Sequence, residues 1–208
     1  MLADGSLLIV SGMGGAAAAA GARVLIEAGA RALASFGLAG GLDASLHPGA
    51  ICLPREIVGL DGTALATSAQ WRSRVESALA ARYPVVSGKL LSADHAVASV
   101  EEKAALHRST TAVAVDMESL GVAQVASAHR LPFIAIRVIV DGAADNLPRA
   151  VAAAADKSGQ LNIWRLLGAL ARTPSDLAPL MRLGSRYRAA SRSLSAVAAA
   201  GAWARQAF

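Results

Sequence analysis

Two carboxylates within one short stretch carry the chemistry this sequence offers. Thr111 to Pro148 reads as an apolar strand ending in Asp116-Met117-Glu118-Ser119, an amphipathic helix, and a second apolar strand, Leu131 to Val140, running into Asp141. Strands joined through one helix can lie parallel, and ligands of α/β sheets collect outside the carboxyl ends of the strands. The pattern predicts Glu118 and Asp141 at the same edge of one sheet. Each also has a plainer reading. An aspartate at a strand end commonly caps a helix or forms a turn, and Glu118 suits the positive N-terminus of the helix that follows.

Other residues offer less. Ser11-Gly12-Met13-Gly14-Gly15 follows an apolar segment and opens a helix, so its N–H groups could hold an anion. It lacks the Gly-Lys-Ser/Thr of a P-loop and the full dinucleotide fingerprint, and a tight strand-to-helix turn explains the glycines almost as well. Gly37-Leu38-Ala39-Gly40-Gly41 ends a strand, where glycine lets the backbone approach a ligand closely. His95 and His107 read as loop or surface residues, and no His, Cys and carboxylate spacing points to a metal. Cys52, the single cysteine, excludes an internal disulfide and reads as a small buried apolar residue.

The elements that must position these residues follow a strand, glycine turn, helix, strand rhythm, the mark of a largely parallel sheet. Strands are predicted at Leu7–Val10, Arg31–Leu38, Ala50–Val58 and Val85–Leu91 in addition to the two around Asp116 and Asp141. Helices are predicted from Gly15 to about Ala28 with Gly29 as the C-cap, from Ser68 to Tyr83 with Trp71, Val75 and Leu79 on one face, and from a Ser99–Glu102 capping box to about Arg108. The chain of 208 residues is read as one domain, 1–208, with a basic helical extension from about residue 149.

Apolar content of 54% owes much to alanine, and the longest apolar runs fall short of the roughly 20 residues of a membrane span. With no basic segment at the amino terminus, no signal peptide is expected, and a cytoplasmic location is. The net charge of +5 is uneven: from Lys157 onward eight basic residues face Asp176 alone. The body is near neutral and gives no reason to expect nucleic-acid binding. In the tail, Leu180, Leu183, Tyr187 and Leu194 share a helical face flanked by Arg182, Arg186, Arg188 and Arg192. Such a helix could lie on an anionic membrane or pack on its own domain.

Val115-Asp116-Met117-Glu118-Ser119, followed by Val138-Ile139-Val140-Asp141, resembles the Met-Glu and Ser-Asp signatures of the nucleoside phosphorylase and nucleosidase superfamily. Phe36-Gly37-Leu38-Ala39-Gly40-Gly41-Leu42, with Pro48-Gly49 after it, resembles that family's glycine-rich ligand loop. The similarity runs from about Leu7 to Asp145. Within the superfamily, Ser35 to Gly41, Glu102-Lys103-Ala104-Ala105-Leu106-His107 and Asp141 to Pro148 resemble the hopanoid-associated phosphorylase, or adenosylhopane nucleosidase, branch.

The resemblance implies a three-layer αβα fold with a mixed, largely parallel sheet, a homodimer, and cleavage of the N-glycosidic bond of an adenosine compound. Adenine is a poor leaving group unless protonated at N7, and Asp141 matches the acid that supplies the proton. Glu118 matches the acceptor of the ribose 2′- and 3′-hydroxyls, and Met117 the apolar shelf beneath the ribose. Val97 matches the residue whose backbone reads the base, and Phe36, Gly37 and Leu38 belong to the ligand loop. No cofactor is implied, with phosphate as co-substrate if the bond is broken by phosphorolysis. The expected substrate is adenosylhopane, a lipid-linked nucleoside that gives membrane contact through the basic tail a reason. The alternatives are methylthioadenosine or adenosylhomocysteine cleavage, and a non-catalytic nucleoside-binding or scaffold protein.

The sequence departs from the family pattern at three places. Ser35 and Leu38 stand where many phosphorylases have an Arg and a Ser for phosphate. Ala96 stands where adenine-specific nucleosidases often stack a Phe on the base. The family also begins with a further strand, which carries the water-activating acid or part of the phosphate loop; this sequence is expected to start at the second strand, at Leu7.

Overall fold

The computed structural model describes residues 5–146 and 177–200. Eight strands form one sheet: β1 (Leu33–Gly41), β2 (Ile51–Cys52), β3 (Glu56–Gly59), β4 (Ala64–Ala66), β5 (Val85–Val86), β6 (Lys89–Ser92), β7 (Ala112–Asp116) and β8 (Phe133–Asp141). Five helices are described: α1 (Gly15–Glu27), α2 (Ala69–Leu79), α3 (Val100–Thr110), α4 (Ser119–Ala128) and α5 (Leu177–Ala200). Strand order is β4-β3-β6-β7-β1-β8-β2-β5. The sheet is mixed: β3–β6, β6–β7, β1–β8 and β2–β5 are parallel, while β3–β4, β1–β7 and β2–β8 are antiparallel.

The expected single strand at Ala50–Val58 is a bent run, β2 then β3, broken at Pro54, which has no N–H to give to a ladder. Val85–Leu91 bends in the same way at Ser87-Gly88. The bends stay paired, Leu53 N–H donating to Val86 O at 2.9 Å and Arg55 N–H to Gly88 O at 2.8 Å. The two ends of the sheet are therefore joined through these bent strands.

Helices cover both faces. Ala18 and Ala22 of α1 and Val122, Ala123 and Ala126 of α4 pack on Leu33, Ala39, Ala135 and Ile139. On the other face Trp71, Val75 and Leu79 of α2, at the predicted spacing, join Ala190 and Val197 of α5 over Ile134, Ile136 and Val138. The basic tail helix thus packs on the domain through a narrow apolar stripe, with Leu194 beside it. Tyr187, expected on that face, is exposed, and the side chains of Leu180 and Leu183 lie outside the described residues, as does the part of the predicted extension at 149–176.

Local signals account for most element ends. Gly29, at φ 94°, closes α1, with Ala30 N–H donating to Leu25 O at 2.9 Å and Gly29 N–H to Ile26 O at 2.9 Å. Ser68 and Ser99 cap α2 and α3 through their hydroxyls. Leu7–Val10 is not a strand: it has no ladder partner among the described residues, and Leu8 and Val10 lie exposed. Burial pushes the Cys52 thiol up to about 12, which leaves it an inert part of the core.

Candidate active site

The expected arrangement of β7 and β8 as parallel neighbours is corrected by the sheet order. β1 lies between them, antiparallel to β7 and parallel to β8. Glu118 and Asp141 therefore flank β1 from its two sides and do not share one edge. Nor are Gly37 to Gly41 a loop; they are the carboxyl half of β1. The register slips between Ala39 and Gly40, so that Gly40 stands opposite Asp141 on one side and Val115 on the other.

On the β7 side a buried cluster forms around Arg137, which is 1% exposed in the middle of β8. Its Nε donates to Asp116 Oδ2 at 2.6 Å and its Nη2 to Ser35 Oγ at 2.7 Å, while Glu118 Oε2 lies 3.9 Å from Nη2. Nη1 is buried with no hydrogen-bond partner. A side chain at Gly37 would place its Cβ 3.0 Å from Nη1, so glycine here leaves room for the guanidinium. Asp116 does the helix capping that Glu118 was a candidate for, accepting from Ser119 N–H through both oxygens at 3.3 and 3.2 Å.

Glu118 instead reaches across to α1. Its Oε1 accepts from Gly14 N–H at 3.0 Å, so the anion held by the first glycine turn is the protein's own carboxylate. Helix packing makes this possible. Gly15 and Gly121 touch where α1 crosses α4, and a Cβ on Gly121 would fall 2.2 Å from Gly15 O. Glu118 and Arg137 border a cavity of about 580 Å³ whose other walls include Leu7, Ile9, Val10, Met13 and Leu25.

Asp141, on the other side, is 5% exposed and paired with Lys103. Burial raises the Asp141 carboxyl above its usual value, against the attraction of the Lys103 ammonium, which pulls it down. The neighbouring Asp145 adds a smaller upward push, and Arg186 of α5 a smaller downward one. A carboxyl raised in this way keeps its proton to higher pH than a free aspartate, as a general acid requires.

The remaining predicted residues divide between site and core. Met117 is half-buried beside Gly15. Phe36 and Leu38 pack toward α2 and α5, Phe36 also touching the cavity. Val97 is buried against Leu42, Leu91 and Val115, and Ala96 is exposed on the loop before α3. His95 staples that loop, its ring lying 2.6 Å from Asp94 Oδ1 and 2.7 Å from Glu102 Oε1, and these carboxylates raise its pKa. Arg137, Asp116 and Lys103 were not expected at the site, and Ser35 was named only as standing where many phosphorylases have an Arg. Arg137 had a signal, a lone charge inside the apolar run Leu131–Val140; Lys103 sat in a charged helix that reads as solvated.

A mixed eight-stranded sheet covered by helices on both faces is the nucleoside phosphorylase and nucleosidase fold. The pattern of the Phosphorylase superfamily matches residues 4–170, and the chain belongs to that family. It is similar to the solved structure of 5′-methylthioadenosine/S-adenosylhomocysteine nucleosidase from Neisseria meningitidis in complex with methylthio-immucillin-A, at 26% identity and TM-score 0.61, over 65% of this chain and 67% of that one. A Helicobacter pylori nucleosidase (MTAN) mutant with 5′-methylthioadenosine in the active site shares the fold at 24% identity and TM-score 0.61, over 64% and 66% of the two chains. Futalosine hydrolase of Helicobacter pylori does so at 23% identity and TM-score 0.61, over 64% and 65%. The chain spans about two thirds of the length of these structures. Among the described residues, no helix is long and apolar enough to cross a membrane.

Proposed function

We propose that the chain cleaves the N-glycosidic bond of an adenosine-containing compound and releases adenine. The observation that carries this reading is the pair of unlike carboxyls flanking β1, Asp141 buried and raised, Glu118 half-buried and hydrogen-bonded by Gly14 N–H. In the proposed reaction Asp141 gives its proton to N7 of the base. The C1′–N9 bond breaks with its electron pair going to the purine, and Glu118 holds the ribose hydroxyls while positive charge develops on the sugar. Arg137, which borders the same cavity as Glu118 and keeps its buried Nη1 without a hydrogen-bond partner, would orient the incoming oxygen of water or phosphate.

The finer reading is adenosylhopane as substrate, with the apolar walls of the cavity beside Glu118 taking the start of its hydrocarbon arm. Working as a homodimer, the protein would meet such a substrate at a membrane surface through the outward Tyr187, Arg188 and Arg192 of α5. Methylthioadenosine or adenosylhomocysteine is the second reading, favoured by the relatives at 26% identity, which are nucleosidases named for those compounds.

Adenine release from adenosylhopane and from methylthioadenosine, each with and without phosphate, separates these readings and hydrolysis from phosphorolysis. Asp141→Asn is expected to lower kcat by roughly 10²–10⁴-fold while substrate still binds. Retained activity in that variant would remove Asp141 from the reaction, and no release from either nucleoside under any condition would favour a binding protein.

A further inference from the structure

We propose that Lys103 is a positioning residue for Asp141, fixing which carboxyl oxygen meets the base and stabilising the carboxylate left after the proton is given. This rests on the reading of Asp141 as the acid.

Lys103 is the buried residue of α3, at 0% exposure. Its Nζ donates to Asp141 Oδ2, to Gly142 O at 2.8 Å and to Asp145 O at 2.8 Å. Three N–H bonds meet three acceptors, the set a protonated amine fills. A buried charge pair is weak evidence of a gain in stability, because apolar residues of similar volume often serve as well. The loop that Lys103 touches also has other ties. Gly142 N–H donates to Asp145 Oδ2 at 2.8 Å, Asp145 N–H to Gly142 O at 3.1 Å, and Arg186 pairs with Asp145 at 2.9 Å. What Lys103 alone supplies is a full positive charge in contact with the acid. The other charged groups acting on Asp141 are Asp145 of the loop and Arg186 of α5.

With Oδ2 held by the ammonium, Oδ1 is left to carry the proton. On transfer the Oδ1–H bond breaks, the N7 lone pair takes the proton, and the O–H electron pair stays on the carboxylate, which Lys103 already faces. The lysine therefore strengthens the acid during transfer, and it lowers the pH up to which the acid stays protonated.

Lys103→Met is expected to lower kcat by about 10-fold or more, a part of what general acid catalysis supplies, with KM little changed. The sign of the pH effect is opposite to that of simple damage. Losing the cation removes the largest pull against burial, so the alkaline limb of the rate profile moves to higher pH. An alkaline limb that stays in place, with Asp141→Asn inactive, would overturn the role of Lys103 alone. An active Asp141→Asn would instead overturn the reading of the acid. If Lys103→Met does not fold, the unaltered protein still decides. Its buried ammonium, followed by nitrogen NMR, should shift with the same titration as the alkaline limb, and a constant signal across that range would overturn the proposal.

Discussion

Arg137 and Lys103 are both buried cations, one on each side of β1, and they are satisfied in different ways. Lys103 has an acceptor for each of its three N–H bonds, all from Asp141 and the loop behind it. Arg137 spends Nε and Nη2 on Asp116 and Ser35 and leaves Nη1 without a partner. A closed cation can only act on the group it already holds; an open one can also receive a ligand. Under the proposed reaction, the difference would leave Lys103 to act on the proton of Asp141 and Arg137 to meet an oxygen arriving beside Glu118.

The contrast is broken most forcefully at Arg137. Arg137→Leu leaves the buried Asp116 carboxylate with only the Ser119 N–H, and removing one partner of a buried pair costs about 3–5 kcal/mol. Urea unfolding should report that loss. A loss below about 1 kcal/mol would mean that water reaches Asp116, and the cluster would then not be the dry pocket that makes an unpartnered Nη1 significant.

How much of this was legible in the sequence depended on whether the signal was local. The strand before Asp141, the Trp71-Val75-Leu79 face and the Ser99 cap follow from periodicity and capping chemistry, and all are found. Strand order does not follow from them. Nothing in Thr111–Pro148 shows that β1, some eighty residues earlier, separates β7 from β8, since side-chain alternation marks a strand without naming its neighbours. The predicted strand at Leu7–Val10 failed for the same reason: its composition suits a strand, but no neighbour pairs with it among the described residues. The two carboxylates were visible because aspartate and glutamate at strand ends stand out. Lys103 was not, because a lysine in a charged helix looks like a solvated face until the helix is docked.

The Glu118 side depends on packing between backbones, and a smaller substitution tests it. Gly121→Ala places a methyl 2.2 Å from Gly15 O, and backbone cannot swing aside as a side chain can. Alanine favours a helix by up to about 1 kcal/mol over glycine, but overpacking costs typically 1–3 kcal/mol. At 2.2 Å the collision should win, giving net destabilisation of about 1–2 kcal/mol. The same shift moves Gly14 N–H away from Glu118, so the activity lost should appear in KM and kcat without a move of the alkaline limb. A moved limb would mean that the two sides of β1 are coupled.

The smallest effect belongs to Arg186, which reaches the Asp141 side from α5. Its pair with Asp145, 2.9 Å long, is only partly buried, the side chains being 33% and 24% exposed, so Arg186→Ala should cost less than about 1 kcal/mol. Arg186 also pulls the Asp141 carboxyl down, more weakly than Lys103 does. Removing it should therefore move the alkaline limb upward, in the same direction as Lys103→Met but by less, and salt should reduce this shift more than the shift from Lys103→Met. A limb that moves as far for Arg186→Ala as for Lys103→Met would show that net charge near the loop sets the acid. In that case the direct contact from Lys103 would have no special part.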